Sequence, residues 1–212
     1  TVVECPPIKV ASLLFYKKDQ SGSKIIFQLF NKNLDKELAR KISLPKNIKE
    51  KDLEKLDYDE IRLLVYTQPK LTNIGKKKPE LFEVALNAKD INLAKQFFEK
   101  EINIEDIFHE GEQIDIHAVT KGKGFQGAVK RFGVKIRHHK AEKTKRGAGT
   151  LGPWHPNKVS FTVPHAGQMG FHTRVDYNKW CLKIGNNPEE INQKGGFVSY
   201  GLISNKYLLV KG

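Results

Sequence analysis

The sequence predicts a β-rich mixed α+β fold whose antiparallel sheet closes into a small barrel, and three observations predict it. Short β-prone runs separated by glycine or polar turn clusters recur at both ends of the 212-residue chain, a spacing that suits a small antiparallel barrel. Helical patterns are few, one opened by Asp90 and one or two short ones at residues 34–57. Residues 121–174 form a cationic, glycine-punctuated stretch that cannot be core, because each unpaired buried charge costs several kcal/mol.

In chain order, residues 8–17 and 24–30 are β-prone and flank Gln20, Ser21, Gly22 and Ser23, the signature of a hairpin. Residues 34–57 are charged and suit one or two short amphipathic helices, interrupted at Leu44 and Pro45 because proline cannot continue a helix. Residues 61–67 read as a buried strand, Lys76, Lys77 and Lys78 as a solvated basic loop, and residues 81–86 as a short strand. Asp90 then caps a helix with Ile91, Leu93, Ala94, Phe97 and Phe98 toward a core, and Ile102 and Ile104 follow. Residues 112–120 alternate, with Ile114, Ile116 and Ala118 on one face, so this half-buried strand leads directly into the basic stretch. Residues 158–163, 180–184, 197–202 and 207–210 read as further short strands.

Formal charge is +13 with a pI near 9.6, and it is unevenly spread. Residues 50–110 hold fourteen acids against ten Lys or Arg, whereas residues 121–183 hold fourteen Lys or Arg against two acids. Such segregation is the footprint of a nucleic-acid binder. Cys5 and Cys181 lie far apart without a partner motif, which argues against a disulfide framework or a four-cysteine metal site and fits a reducing compartment. No window approaches eighteen consecutive apolar residues and no signal pattern opens the chain, so a soluble protein is expected. The chain starts at Thr1 in mid-pattern, which reads as part of a longer protein.

Gly122, Gly124 and Gly127 fit G-x-G-x-x-G after a predicted strand. A dinucleotide loop needs an apolar helix next and an acid about twenty residues on. The continuation AVKRFGVKIRHHK is too basic and glycine-broken for a helix packed on a sheet, and Glu142 sits among lysines. The glycines instead allow tight turns or close backbone approach, with Lys121, Lys123, Lys130 and Arg131 bracketing a phosphate-contacting loop. His138 and His139 are adjacent, and His155, His165 and His172 lack metal-ligand spacing, so no metal is expected; in a cationic loop they donate to phosphate or stack on bases. Ser160, Ser199 and Ser204 lack an elbow motif, and no nucleophile–base pair stands out. Neither catalysis nor a cofactor is expected. Trp154 stands between Pro153 and Pro156, and two placements are open on the residues alone: core packing, or a stiff exposed tip that stacks on RNA.

VTKGKGFQGAVKRFG, RGAGTLGPWHPNKVSFTVPHAGQMGFHTR and GGFVSYGLI closely resemble the family of large-subunit ribosomal protein number three in its archaeal and eukaryotic form, and the likeness extends less densely from TVVECPPIKV to YLLVKG. The resemblance implies a closed β-barrel like the second domain of translation elongation factors, with core 1–33, 111–120 and 158–212, an α/β insertion 34–110, and an RNA-binding extension 121–157. It implies a tryptophan finger with Trp154 at its tip and a basic thumb at residues 135–146. It further implies basic N-terminal and additional C-terminal segments beyond these residues. The implied function is a cytoplasmic, non-catalytic constituent of the large ribosomal subunit. Such a protein binds 23S-type rRNA near its 3′ end, helps start assembly, reaches towards the peptidyl transferase centre and neighbours large-subunit protein fourteen, with no membrane or small-molecule substrate. The candidate rRNA-binding residues are Lys121, Lys123, Lys130, Arg131, Lys135, Arg137, His138, His139, Lys140, Lys143, Lys145, Arg146, Trp154, His155, Lys158, His172 and Arg174.

Overall fold

The structure, a computed structural model, describes residues 1–45, 56–86, 90–140 and 143–212. After a short strand β1 (Val2–Glu4), β2 (Lys9–Asp19) and β3 (Gly22–Phe30) form the expected hairpin. It is tighter than the turn cluster suggested, because Asp19 pairs with Gly22 and only two residues turn the chain. The Asp19 carboxylate accepts from the Gln20 amide and the Lys24 ammonium. β4 (Glu60–Tyr66) and β5 (Leu81–Leu86) complete an antiparallel sheet of order β3-β2-β4-β5.

Strand β2 is central and buried from Val10 to Tyr16. Strict alternation would put Val10 and Leu13 on opposite faces, yet both join one apolar cluster with Phe15, Leu29, Ile61, Leu63 and Val65. A bulge between Val10 and Ser12 restores them to the same side. Ala11, Leu38 and Tyr66 form a second cluster.

The Asp90-capped helix is α1 (Ile91–Gln96); the Asp90 carboxylate accepts from the Asn92 amide, and Ala94 is buried against the larger cluster with Ile91, Phe97 and Phe98 around it. Residues 34–57 depart from expectation. The described part forms a single short 3-10 helix, Lys36–Arg40, whose buried Leu38 joins the second cluster with Leu34, Ile42 and Leu44 packed against it. The rest of that expectation, residues 46–55, lies outside the described residues.

A second sheet has the order β1-β10-β9-β6, from β6 (Gln113–Val119), β9 (Thr173–Gly185) and β10 (Tyr207–Val210). Thr1 and Val210 exchange main-chain hydrogen bonds, so first and last strands lie side by side. Gly185 is required here: a Cβ would fall 2.1 Å from the ring of Tyr207, which is buried and cannot retreat. β9 begins seven residues before the expected start at Trp180, through the polar residues Arg174, Asp176, Asn178 and Lys179. Two expected strands are turns instead. Residues 158–163 leave Phe161 fully exposed, with the Ser160 hydroxyl accepting from the Thr162 amide. Residues 197–202 fold tightly around a single Phe197–Gly201 bridge.

By contacts the chain divides into Thr1–Gln113 with Trp180–Gly212, and Ile114–Lys179. The class is β-rich with few helices, as expected.

Candidate nucleic-acid interface

The cationic stretch is organised by an antiparallel stalk. Thr120 and His172 lie opposite, with the Thr120 amide donating to the His172 carbonyl at 2.9 Å and the Phe171 amide donating to Thr120 at 3.0 Å. The Lys123 amide donates to Met169 and the Met169 amide to Gly124, each at 2.9 Å. The ladder ends in β7 (Phe125–Gln126) paired with β8 (Gly167–Gln168). Gly170 makes the pairing possible: its φ is +77°, and a Cβ would lie 2.0 Å from the Lys121 carbonyl oxygen.

Contrary to the sequence reading, a helix does follow the glycine motif: α2 (Ala128–Phe132), five residues closed by Gly133. Ala128 is buried and anchors it, which the surrounding charge concealed. One turn is far short of the helix that a dinucleotide loop opens, and the Lys123 amide and Gly124 carbonyl are spent on Met169.

Arg131 is half-buried and turned onto the stalk. Its guanidinium donates to the His165 carbonyl at 2.8 Å and the Gln168 carbonyl at 3.2 Å, and stands 5.0 Å from the Phe132 ring centroid. Farther out, the Arg137 amide donates to the Lys145 carbonyl at 3.1 Å. Arg137 is half-buried and engaged. The His138 and His139 ring centroids lie 4.1 Å apart with the planes tilted by 47°, and His138 Nδ1 accepts from the Lys140 amide.

Lys121, Lys123, Lys130, Lys135, Lys140, Lys143, Lys145, Arg146, His155, Lys158, His172 and Arg174 are exposed. Among the described residues none of them joins an ion pair, whereas cations such as Lys9, Arg62 and Lys206 do. Trp154 is 84% exposed, in a concave loop with Leu151, Pro153 and Pro156, so it does not pack in the core. Among the described residues no group of three or more His, Cys, Asp or Glu could hold a metal.

The sequence reading overlooked exposed apolar side chains around these cations: Phe125, Phe132, Phe161 and Phe171 are all more than half exposed. Only Phe161 falls in a predicted strand, where phenylalanine reads as core; the signal for Phe125 and Phe132 was their setting among glycine and cationic residues in KGFQG and KRFG.

A β scaffold holding a strongly cationic, acid-poor arm defines a class of basic protein that faces a polyanion. Comparison with known sequences makes that class a ribosomal one, since the protein-family model for "Ribosomal protein L3" matches residues 1–212. The chain is 47% identical to "Large ribosomal subunit protein uL3" of Methanocaldococcus jannaschii over all of its length and 67% of that relative's. It is 48% identical to the proteins of the same name from Methanococcus aeolicus and Archaeoglobus fulgidus, with the same coverage. The chain belongs to the ribosomal protein L3 family, whose members are structural proteins and not enzymes.

Proposed function

We propose that this chain is a cytoplasmic constituent of the large ribosomal subunit that binds large-subunit rRNA through its basic arm and helps to start subunit assembly. The observation that carries this reading is the unpaired charge of the arm. Twelve exposed cationic or histidine side chains stand without an acidic partner among the described residues, on a backbone ordered by its own stalk. Charge left open at that density is neutralised by phosphates. Residues 121–157 act as the extension, with Trp154 at the finger tip and residues 135–146 as the thumb. Residues 1–33, 111–120 and 158–212 form a translation-protein-like closed barrel, and 34–110 its insertion. Within this reading the extension points towards the peptidyl transferase centre, and the neighbours are rRNA near its 3′ end and protein fourteen.

Reconstitution tests it. The protein, added to large-subunit rRNA and the remaining subunit proteins, should enter particles early and crosslink through residues 121–174 to the 3′-terminal part of the RNA. Equal binding to all RNAs, with no entry into particles, would refute the assembly role.

A further inference from the structure

We propose that the cleft at the root of the arm receives a single everted nucleotide of the bound RNA. Its base would pack against Phe132 and Met169, with its phosphate among Lys121, Lys123 and Arg174. The inference rests on the RNA-binding reading and narrows it to one kind of contact.

The cleft has a volume of about 560 Å³, within the range of sites that hold small ligands. No acid lines it. Its cations come from both strands of the stalk, Lys121 and Lys123 on the outgoing side and Arg174 on the return, with the His172 imidazole alongside. A site for phosphate alone needs no apolar wall, yet this one includes Phe132 and Met169. Phe132 is 54% exposed although the Arg131 guanidinium already holds its ring. That guanidinium is tied to two carbonyls, so the ring is fixed before any ligand arrives, which lowers the cost of binding. Gln168 spends its side-chain amide hydrogens on the Met169 and Gly170 carbonyls, leaving its side-chain oxygen as an acceptor for a base N–H, such as the ring N–H of uracil. Cations beside an aromatic and an amide acceptor match a nucleotide out of its stack; a duplex offers phosphates but keeps its base faces covered.

The test uses the full chain with a single-stranded uridine decamer, a duplex of equal length, and free AMP. Ultraviolet crosslinking to the single strand, read by mass spectrometry, should mark Phe132 or Met169. Phe132→Ala should weaken single-strand binding about tenfold and leave duplex binding unchanged, while Phe132→Trp restores it. Crosslinks only elsewhere on the arm, or equal effects of Phe132→Ala on strand and duplex, would overturn the inference and leave general RNA binding intact. AMP binding as tight as the strand's would make this a free-nucleotide site and overturn it too. If neither RNA bound the wild-type chain at all, the broader RNA reading would fall, and this inference with it.

Discussion

Arg131 donates to the main-chain carbonyl of His165 at 2.8 Å, joining residues 34 positions apart across the end of the stalk where β7 and β8 pair. A second bond runs to Gln168. A guanidinium makes both bonds at once because its donors are held in a plane; a lysine ammonium of equal charge cannot reproduce that fork. Arg131→Lys should therefore loosen residues 165–170 by about 1–3 kcal/mol, seen as faster amide exchange there, with little change in the thermal midpoint of the larger unit. RNA affinity should fall although net charge is preserved. Unchanged exchange would show that the two bonds do not hold the stalk.

Glu4 anchors the 200–205 segment. Its carboxylate accepts from the Tyr200 hydroxyl, from the Ser204 and Asn205 amides and from the Asn205 side chain. Partial burial pushes the carboxyl up, but these donors outweigh it and hold Glu4 below its usual range. A lowered folded-state pKa contributes stability above the unfolded value of 4.5, lost as pH falls through the folded one. Glu4→Gln should lower the urea midpoint at pH 7 and shrink the wild-type's loss of stability below about pH 4.5. Glu80 is a useful contrast: hydrogen bonds from Lys76 and Lys41 bring it down to about 2, but all three side chains are well exposed, so solvent screens most of that effect. Glu80→Gln should change the acid limb less than Glu4→Gln does.

Gly170→Ala should disrupt the stalk, because the new Cβ meets the Lys121 carbonyl and the residue has a positive φ. Strain and overlap together amount to about 2 kcal/mol or more, concentrated in residues 114–179. Loss of amide protection at Thr120, Lys123 and Phe171, with protection in β2 and β4 retained, is the expected pattern. Wild-type protection throughout would mean that the stalk yields without cost.

Legibility followed burial. The β2–β3 hairpin, β4, β10 and the Asp90 cap were readable because β-prone apolar runs there sit in or against the core, or because a capping side chain has one local role. β9 was cut short since its first half is exposed and polar, so no alternation marks it. Residues 158–163 misled for the opposite reason: β-prone Val159 and Phe161 are outside, where propensity has nothing to pack against. In the arm, composition revealed which residues are charged but not which are already engaged. Arg131 and Lys130 are equivalent in sequence, yet one grips the stalk and the other is exposed.

Trp154→Ala tests the tip. A buried tryptophan loses about 3–5 kcal/mol on truncation, whereas one that is 84% exposed should lose less than about 0.5 kcal/mol. The urea midpoint should stay at the wild-type value while affinity for large-subunit RNA falls by roughly 1–3 kcal/mol, the worth of one stacked base. A large stability loss in the free protein would mean that the indole packs inside.

Salt separates the arm's charge from its aromatics. Each phosphate neutralised releases counterions, so the logarithm of affinity falls against the logarithm of salt by roughly 0.7–0.9 per contact. Double substitution of Lys143 and Lys145 with alanine, both exposed and unpaired among the described residues, should flatten that slope by about 1.5 and weaken binding to every RNA alike. Trp154→Ala and Phe132→Ala should instead shift the line down without changing its slope, because stacking releases few ions. Filter binding between about 50 and 200 mM salt distinguishes the two. If the lysine pair left the slope untouched, phosphate contact would have to come from the stalk cations Lys121, Lys123 and Arg174, and the thumb would have no part in binding.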